Sequence, residues 1–391
     1  MCRCLSVGLY HYSEMRIFAA ILAFVIALPA VAVTSSGFRV RAGSFNIRCE
    51  TSSDTGDKSW GNRKADLAKF VRESGLDVVG FQEVKSSQKT YLNDNLSGYT
   101  FFAGTVSGSS EYVSVAYKTA RFNRLDGGTF WLSATPEKQS KFSDSQYYRI
   151  CTWTLLQDKE TSGKVLFAST HLDLVAKVRL MQMQVIMKFT ETYRADGVNV
   201  IVVGDMNEYE NDSAMVAAAG VFLDAACEAQ SVSGPWRTYN AWTYVDSAAE
   251  PKAAEILKNS IASRNPLVSG NRDHKRIDFI FVGEPAVVET YVVRNDVQTG
   301  KSMYHSDHYM IYSDLILPVR KLVAKGRIKV EISAECPSVA SGRRFQLTSG
   351  AMIEDASKID FVLPDWVERA CVEDGEIVVY TKAQPLIIYV R

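Results

Sequence analysis

Six short polar clusters interrupt apolar, β-branched runs in this sequence. They are Asn46 after Ser44-Phe45, Glu83 in Gly80-Phe-Gln-Glu83, and His171 with Asp173 in Ser169-Thr-His-Leu-Asp173. The others are Asp205 and Asn207 in Gly204-Asp-Met-Asn207, Asp278 in Arg276-Ile-Asp-Phe-Ile280, and Asp307 and His308 in Ser306-Asp-His308. A single Asn or Asp at a strand end usually makes a turn. Asp278 differs, because a carboxylate between Ile277 and Phe279 is costly to bury without a partner. Asn46, Glu83 and Asp307 form a set of hard oxygen donors without thiolates, the kind that suits magnesium or manganese. Two imidazoles and an Asp/Asn pair add general acid/base groups and donors to a phosphate. Together these groups point to hydrolysis of a phosphate ester.

Alternating strands and helices between about residues 38 and 317 position them. Strands are predicted for Val40 to Ile47, Asp77 to Gln82, Tyr112 to Tyr117, Val165 to Thr170, Val198 to Val203, Ile277 to Val282 and Met310 to Leu315. Helical spacing of Leu67, Phe70 and Val71 predicts a helix over Arg63 to Ser74, and that of Val178, Met181, Val185 and Phe189 one over Val178 to Tyr193. Polar groups at the same ends of neighbouring strands converge on one rim, where sheet-based enzymes build their sites. Beyond Pro318 the pattern becomes a series of short strands. Residues 327–391 are expected to form a small antiparallel β domain after a basic linker.

In this order the clusters resemble the endonuclease/exonuclease/phosphatase superfamily over roughly Val40 to Leu315, most specifically in Gly-Asp-x-Asn and Ser-Asp-His. The resemblance implies an α/β four-layer sandwich, two packed mixed β-sheets flanked by helices. It makes Glu83 the principal Mg2+ (or Mn2+) ligand, with Asn46 beside it and Asp307 completing the site. Asp205 orients or deprotonates the attacking water, and Asn207 donates to the phosphate. His308, held by Asp278, binds the scissile phosphate or acts as base. His171, oriented by Glu111, stabilises the leaving oxygen. Trp60-Gly-Asn-Arg63 and Tyr148-Arg-Ile-Cys-Thr-Trp153 resemble a group of often exported members and mark Arg149 and Arg63 as phosphate clamps. Gly108-Ser-Ser-Glu111 departs from the family's usual Gly-Glu.

The chain of 391 residues carries 44 basic and 44 acidic side chains, so no bulk positive field points to a polyanion. An apolar run from Ile17 to Val33, behind Arg16 and with small residues at Ala30 and Ala32, reads as a secretory signal peptide over residues 1–32, and hence as a secreted protein. The alternative is an uncleaved anchor. The odd cysteines of the remainder lack zinc spacing; Cys336 and Cys371 pair or are buried as small hydrophobes. Of the five histidines, His274 and His305 are expected at the surface. The substrate is expected to be a phosphodiester, with nucleic acid as one form. The alternatives are a small or lipid phosphate, or a non-catalytic binding module. A monomer without an obligate protein partner is expected.

Overall fold

The computed structural model describes residues 32–104, 111–243 and 276–323 and, beyond them, the backbone of strand segments within 328–381. Residues 1–31 of the expected leader, His274 and Cys336 lie outside the described residues. Two compact units are present, one of residues 36–319 and one that includes residues 320–391.

Within the larger unit, β1 (Ala32–Asn46), β2 (Val78–Val84), β3 (Tyr99–Ala103) and β4 (Tyr112–Lys118) belong to one sheet. A second sheet is built from β5 (Phe122–Trp131), β6 (Ile150–Asp158), β7 (Lys164–His171), β8 (Asn199–Asp205) and β9 (Leu223–Asp224). The chain then supplies β10 (Ser231–Ser233), β11 (Asp278–Val282), β12 (Val287–Arg294) and β13 (Met310–Val323). The strand orders are β10-β12-β13-β1-β2-β4-β3 and β5-β6-β7-β8-β11-β9. Both sheets are mixed: β1–β2 and β7–β8 are parallel, whereas β2–β4 and β8–β11 are antiparallel.

Alternation along the strands builds three apolar layers. Val78, Val115, Phe167, Val203 and Ile280 pack between the two sheets. The opposite faces carry Val79 and Phe81 against helices α1 (Trp60–Glu73) and α2 (Ser86–Asn95). On the other sheet Leu166, Val202 and Phe281 face α3 (Ala176–Ala195) and α4 (Ser213–Ala219). These are the four layers expected, because strands buried on both faces must be covered on both. At Gly80 a Cβ would lie 2.5 Å from Ser169 Oγ, so a side chain there would push the sheets apart near the rim.

In the C-terminal unit the described strands are of mixed direction, not antiparallel throughout. Ile328–Glu331 pairs in parallel with Ile359–Val362, while Glu376–Thr381 lies antiparallel to both Arg344–Gln346 and Val367–Glu373. Among the described residues no helix is long and apolar enough to cross a membrane.

Candidate active site

The rim follows from strand direction. Asn46 closes β1, His171 closes β7 and Asp205 closes β8, while Asp278 opens the antiparallel β11 at the same edge. His171 and Asp278 sit in register with Asp205 on either side of it. Glu83 reaches the rim through an irregularity. The β2–β4 ladder shifts register between Phe81 and Val84, and Glu83 adopts φ 60°, which turns its carboxylate towards Asn46. Such a bulge re-aims a side chain at the cost of local strain. Gly204 completes the geometry: with φ 155° and a built Cβ 2.1 Å from Thr170 O, it leaves no room for a side chain before Asp205.

Asp205 is the hub. Its Oδ2 accepts from Asn46 Nδ2 at 2.9 Å, and its Oδ1 from the Asn207 backbone N–H at 2.9 Å. His171 Nε2 lies 3.5 Å and His308 Nε2 3.6 Å from Oδ2. Burial raises the Asp205 pKa well above the usual carboxylate range, opposed by the charge of His308 and reinforced by Asp278. Asn46 also donates to Glu83 Oε1 at 3.0 Å, and the Cys49 N–H donates to Oε2 at 3.0 Å. The Asn207 side chain donates to Leu172 O at 3.0 Å, which leaves its second amide proton for a substrate oxygen.

Asp278 and His308 form a buried pair, with Nδ1 2.9 Å from Oδ2. Burial disfavours the imidazolium, but Asp278 and then Asp205 more than offset it, and the His308 pKa rises to about 10. His171, buried and facing the Arg149 cation, is held well below its ordinary value and is neutral. The two imidazoles of one cavity are thus biased towards different charge states, His308 towards the cation and His171 towards the neutral form.

Glu111 does not orient His171. Val84 and Tyr112 are paired in the β2–β4 ladder, so the residues beside them, Lys85 and Glu111, form an ion pair at 3.2 Å. Glu111 still lines the cavity. Asp307 accepts from Ser306 Oγ at 3.2 Å and faces Arg48 Nη1 at 3.6 Å. Two sets of donors have ligand atoms within 4.8 Å of one another: Glu83, His171 and Asp205, and Asp205, Asp278 and His308. Oxygen and imidazole donors dominate, and burial pushes the neighbouring Cys49 thiol up to about 12, so no thiolate competes. This donor chemistry fits a hard divalent ion, with Glu83 and Asn46 placed to hold it.

The two expected clamps behave differently. Arg149 lines the cavity, makes no ion pair among the described residues, and has an Nε that is buried without a hydrogen bond. Burial lowers its pKa, opposed by the charges of Asp205, Glu111, Asp173 and Glu83. Arg63 is not a clamp. It is fully buried and donates to the carbonyls of Ile47 at 2.6 Å, Arg48 at 2.7 Å, Lys58 at 3.0 Å and His305 at 3.2 Å. It therefore ties the segment after β1 to the one that carries Asp307. Arg63→Met is expected to cost about 2–4 kcal/mol of stability, because it orphans buried carbonyls. Activity per folded molecule falls less than tenfold; thermal unfolding and an assay on the same sample separate the two effects. His305 is likewise buried rather than at the surface, bonded to Asp66 at 2.9 Å and stacked on Phe70.

Some contributors carry no strand-end signal in the sequence. Thr238 Oγ1 accepts from the N–H groups of both Ile277 and Asp278 at 3.0 Å, and its carbonyl accepts from the Tyr309 N–H at 2.7 Å. Thr238 thus joins the two segments that present Asp278 and His308. Tyr147, Tyr148 and Tyr239 line the cavity, which has a volume of about 910 Å³. Only a strand-end polar signal was available in the sequence, and these residues lie in connecting segments.

The model of the Endonuclease/Exonuclease/phosphatase family matches residues 43–314. The chain belongs to this family. Its members are metal-dependent phosphoesterases, and the chain is an enzyme of that class. No curated protein sequence matches it. Among solved structures, an endonuclease/exonuclease/phosphatase from Bacteroides vulgatus is 26% identical, with a TM-score of 0.60, covering 72% of this chain and 99% of that one. The mannosyl-6-phosphatase of Bacteroides thetaiotaomicron is also 26% identical, with a TM-score of 0.60, covering 71% and 99%. Danio rerio TDP2 in complex with a single-strand DNA product is 18% identical, with a TM-score of 0.51 and coverage of 71% and 98%; that likeness concerns the fold.

Proposed function

We propose that this chain is a secreted, magnesium-dependent phosphoesterase that acts as a monomer on a small phosphate ester, with a phosphomonoester placed ahead of a phosphodiester. The observation that carries the reading is the grouping of Asn46, Glu83, Asp205 and the Asp278–His308 pair at one rim, beside a cavity that Glu83, Asp205, His308 and the buried Arg149 guanidinium line together. The phosphomonoester preference draws on the relative that is 26% identical and is described as a mannosyl-6-phosphatase. A nucleic-acid phosphodiester becomes the competing arm of the test.

In this reading Glu83 and Asn46 hold the magnesium ion, which when bound neutralises charge on the phosphate oxygens and makes water easier to deprotonate. Arg149, the free Asn207 amide proton and His308 Nε2–H seat the phosphate. Asp205, anchored by two hydrogen bonds and with a raised pKa, is suited to take a proton from the attacking water. Neutral His171 donates a hydrogen bond to the leaving oxygen.

The test compares the purified chain, with magnesium and with EDTA, on hexose 6-phosphates, bis-p-nitrophenyl phosphate, plasmid DNA and RNA. Magnesium-dependent release of inorganic phosphate supports the monoester reading, and Arg149→Ala is expected to cut kcat/KM by about 10²-fold. Cleavage of nucleic acid alone would replace it with the nuclease reading. Hydrolysis unaffected by EDTA would overturn the metal assignment.

A further inference from the structure

One wall of the cavity is made by a short segment with a repeated pairing of cation and ring. Tyr147 lies beside Arg149, with the guanidinium carbon 5.0 Å from the ring centroid, and Tyr148 lies beside Lys141 Nζ at 5.5 Å. Both tyrosines are open to solvent, at 44% and 38% exposure, although they line the cavity. Leu174, 50% exposed, lines it as well.

The segment is fixed rather than loose. Asp173, fully buried, accepts from the N–H groups of Gln146 at 3.3 Å and Tyr147 at 2.9 Å. Lys141 Nζ donates to the carbonyls of Ser145 at 2.8 Å and Gln146 at 3.3 Å, which closes the turn from the other side. The Asp173 N–H in turn donates to Gln182 Oε1 at 2.8 Å, which ties the turn to α3. Tyr147 is pinned by its N–H and Tyr148 sits between it and Arg149, whose carbonyl accepts from the Leu132 N–H at 2.8 Å, so the two exposed rings have little backbone entropy left to lose on binding. That is the property of a preorganised stacking surface.

From these contacts we propose that Tyr147 and Tyr148 form the leaving-group subsite, and that the substrate is a phosphate ester of a ring-bearing alcohol whose flat face lies on them. The proposal rests on the phosphoesterase reading for the position of the phosphate. With the phosphate on Arg149, a ring one ester linkage away reaches Tyr147, whose ring the guanidinium overlies at 5.0 Å, and lies on the ring area left open to solvent. A sugar ring offers its C–H face and a nucleobase its π-face, and both stack on tyrosine.

The test measures kcat/KM on a hexose 6-phosphate, a nucleoside 5′-monophosphate and glycerol 3-phosphate, for the wild type and for the double variants Tyr147→Leu with Tyr148→Leu and Tyr147→Phe with Tyr148→Phe. Calorimetric binding of the same three compounds in EDTA provides a readout independent of turnover. The wild type is expected to prefer at least one ring ester over glycerol 3-phosphate, and the favoured arm identifies the ring. The Leu pair lowers that ring-to-glycerol ratio about tenfold, and the Phe pair restores it. A ratio equal in wild type and Leu pair, by rate and by binding, overturns the proposal. Ring-selective binding without hydrolysis would leave this subsite standing and sink the phosphoesterase reading instead.

Discussion

Glu83→Gln is expected to lower kcat by about three orders of magnitude while leaving the fold intact. The substitution keeps the shape and the backbone bulge but removes the charge. Glu83 is the carboxylate that Asn46 and the Cys49 N–H jointly aim into the cavity, at 3.0 Å each. Removing its charge strips the divalent ion of a principal anionic ligand, and a hard cation such as magnesium depends on such ligands. Several kcal/mol of transition-state stabilisation then disappear, which sets the size of the rate loss. Binding of manganese, followed by its paramagnetic resonance, is expected to weaken in parallel. The metal-free variant is expected to melt somewhat below the metal-free wild type: although burial opposes it, His171 and the Asn46 and Cys49 donors hold the Glu83 carboxyl below its ordinary value, and the stability that the charge contributes is lost with it. Activity within tenfold of wild type, with unchanged manganese affinity, would remove Glu83 from the metal site.

Strand-end clusters were legible because a polar group that ends an apolar, period-two run has few reasons to be there. Asn46, Glu83, His171, Asp205, Asp278 and His308 all reach one rim for that reason, and two sheets covered on both faces follow from strands buried on both faces. Other elements gave weaker signals. In β5 the inner stretch is exposed and interrupted by Gly127-Gly128, and β3 is half-buried throughout, so neither shows alternation. The polar helix α2 buries only Gln88 and Leu92, too few residues to mark a helical face. Arg63 shows a different limit. Its acceptors come from Ile47, Arg48, Lys58 and His305, up to 242 positions away, so a buried structural arginine resembled a clamp. Glu111 failed because partner choice depended on the β2–β4 register, which placed it opposite Lys85.

That dependence on register also makes Asp278 the more demanding test. Asp278→Asn preserves the hydrogen-bonding shape at His308 Nδ1 but removes the charge that favours the imidazolium, and kcat is expected to fall by roughly 10²–10⁴-fold. The pH profile gives the sharper readout. With His308 raised to about 10, the cationic form that seats the phosphate is present at lower pH and is lost as pH rises through that value. In the Asn variant the pKa falls back towards the ordinary histidine value, so the alkaline limb of kcat/KM moves to lower pH. Stability follows the same sign. A raised folded-state pKa contributes stability that is fully present below the unfolded value near 6.5 and is lost as pH rises through about 10. The stability advantage of metal-free wild type over Asp278→Asn should therefore be largest below about 6.5 and shrink towards pH 10 in urea unfolding. An alkaline limb that stays in place would show that a neutral His308 performs the reaction. The pair would then serve to fix a tautomer, and the proton taken from water would have to be assigned between Asp205 and His308 anew.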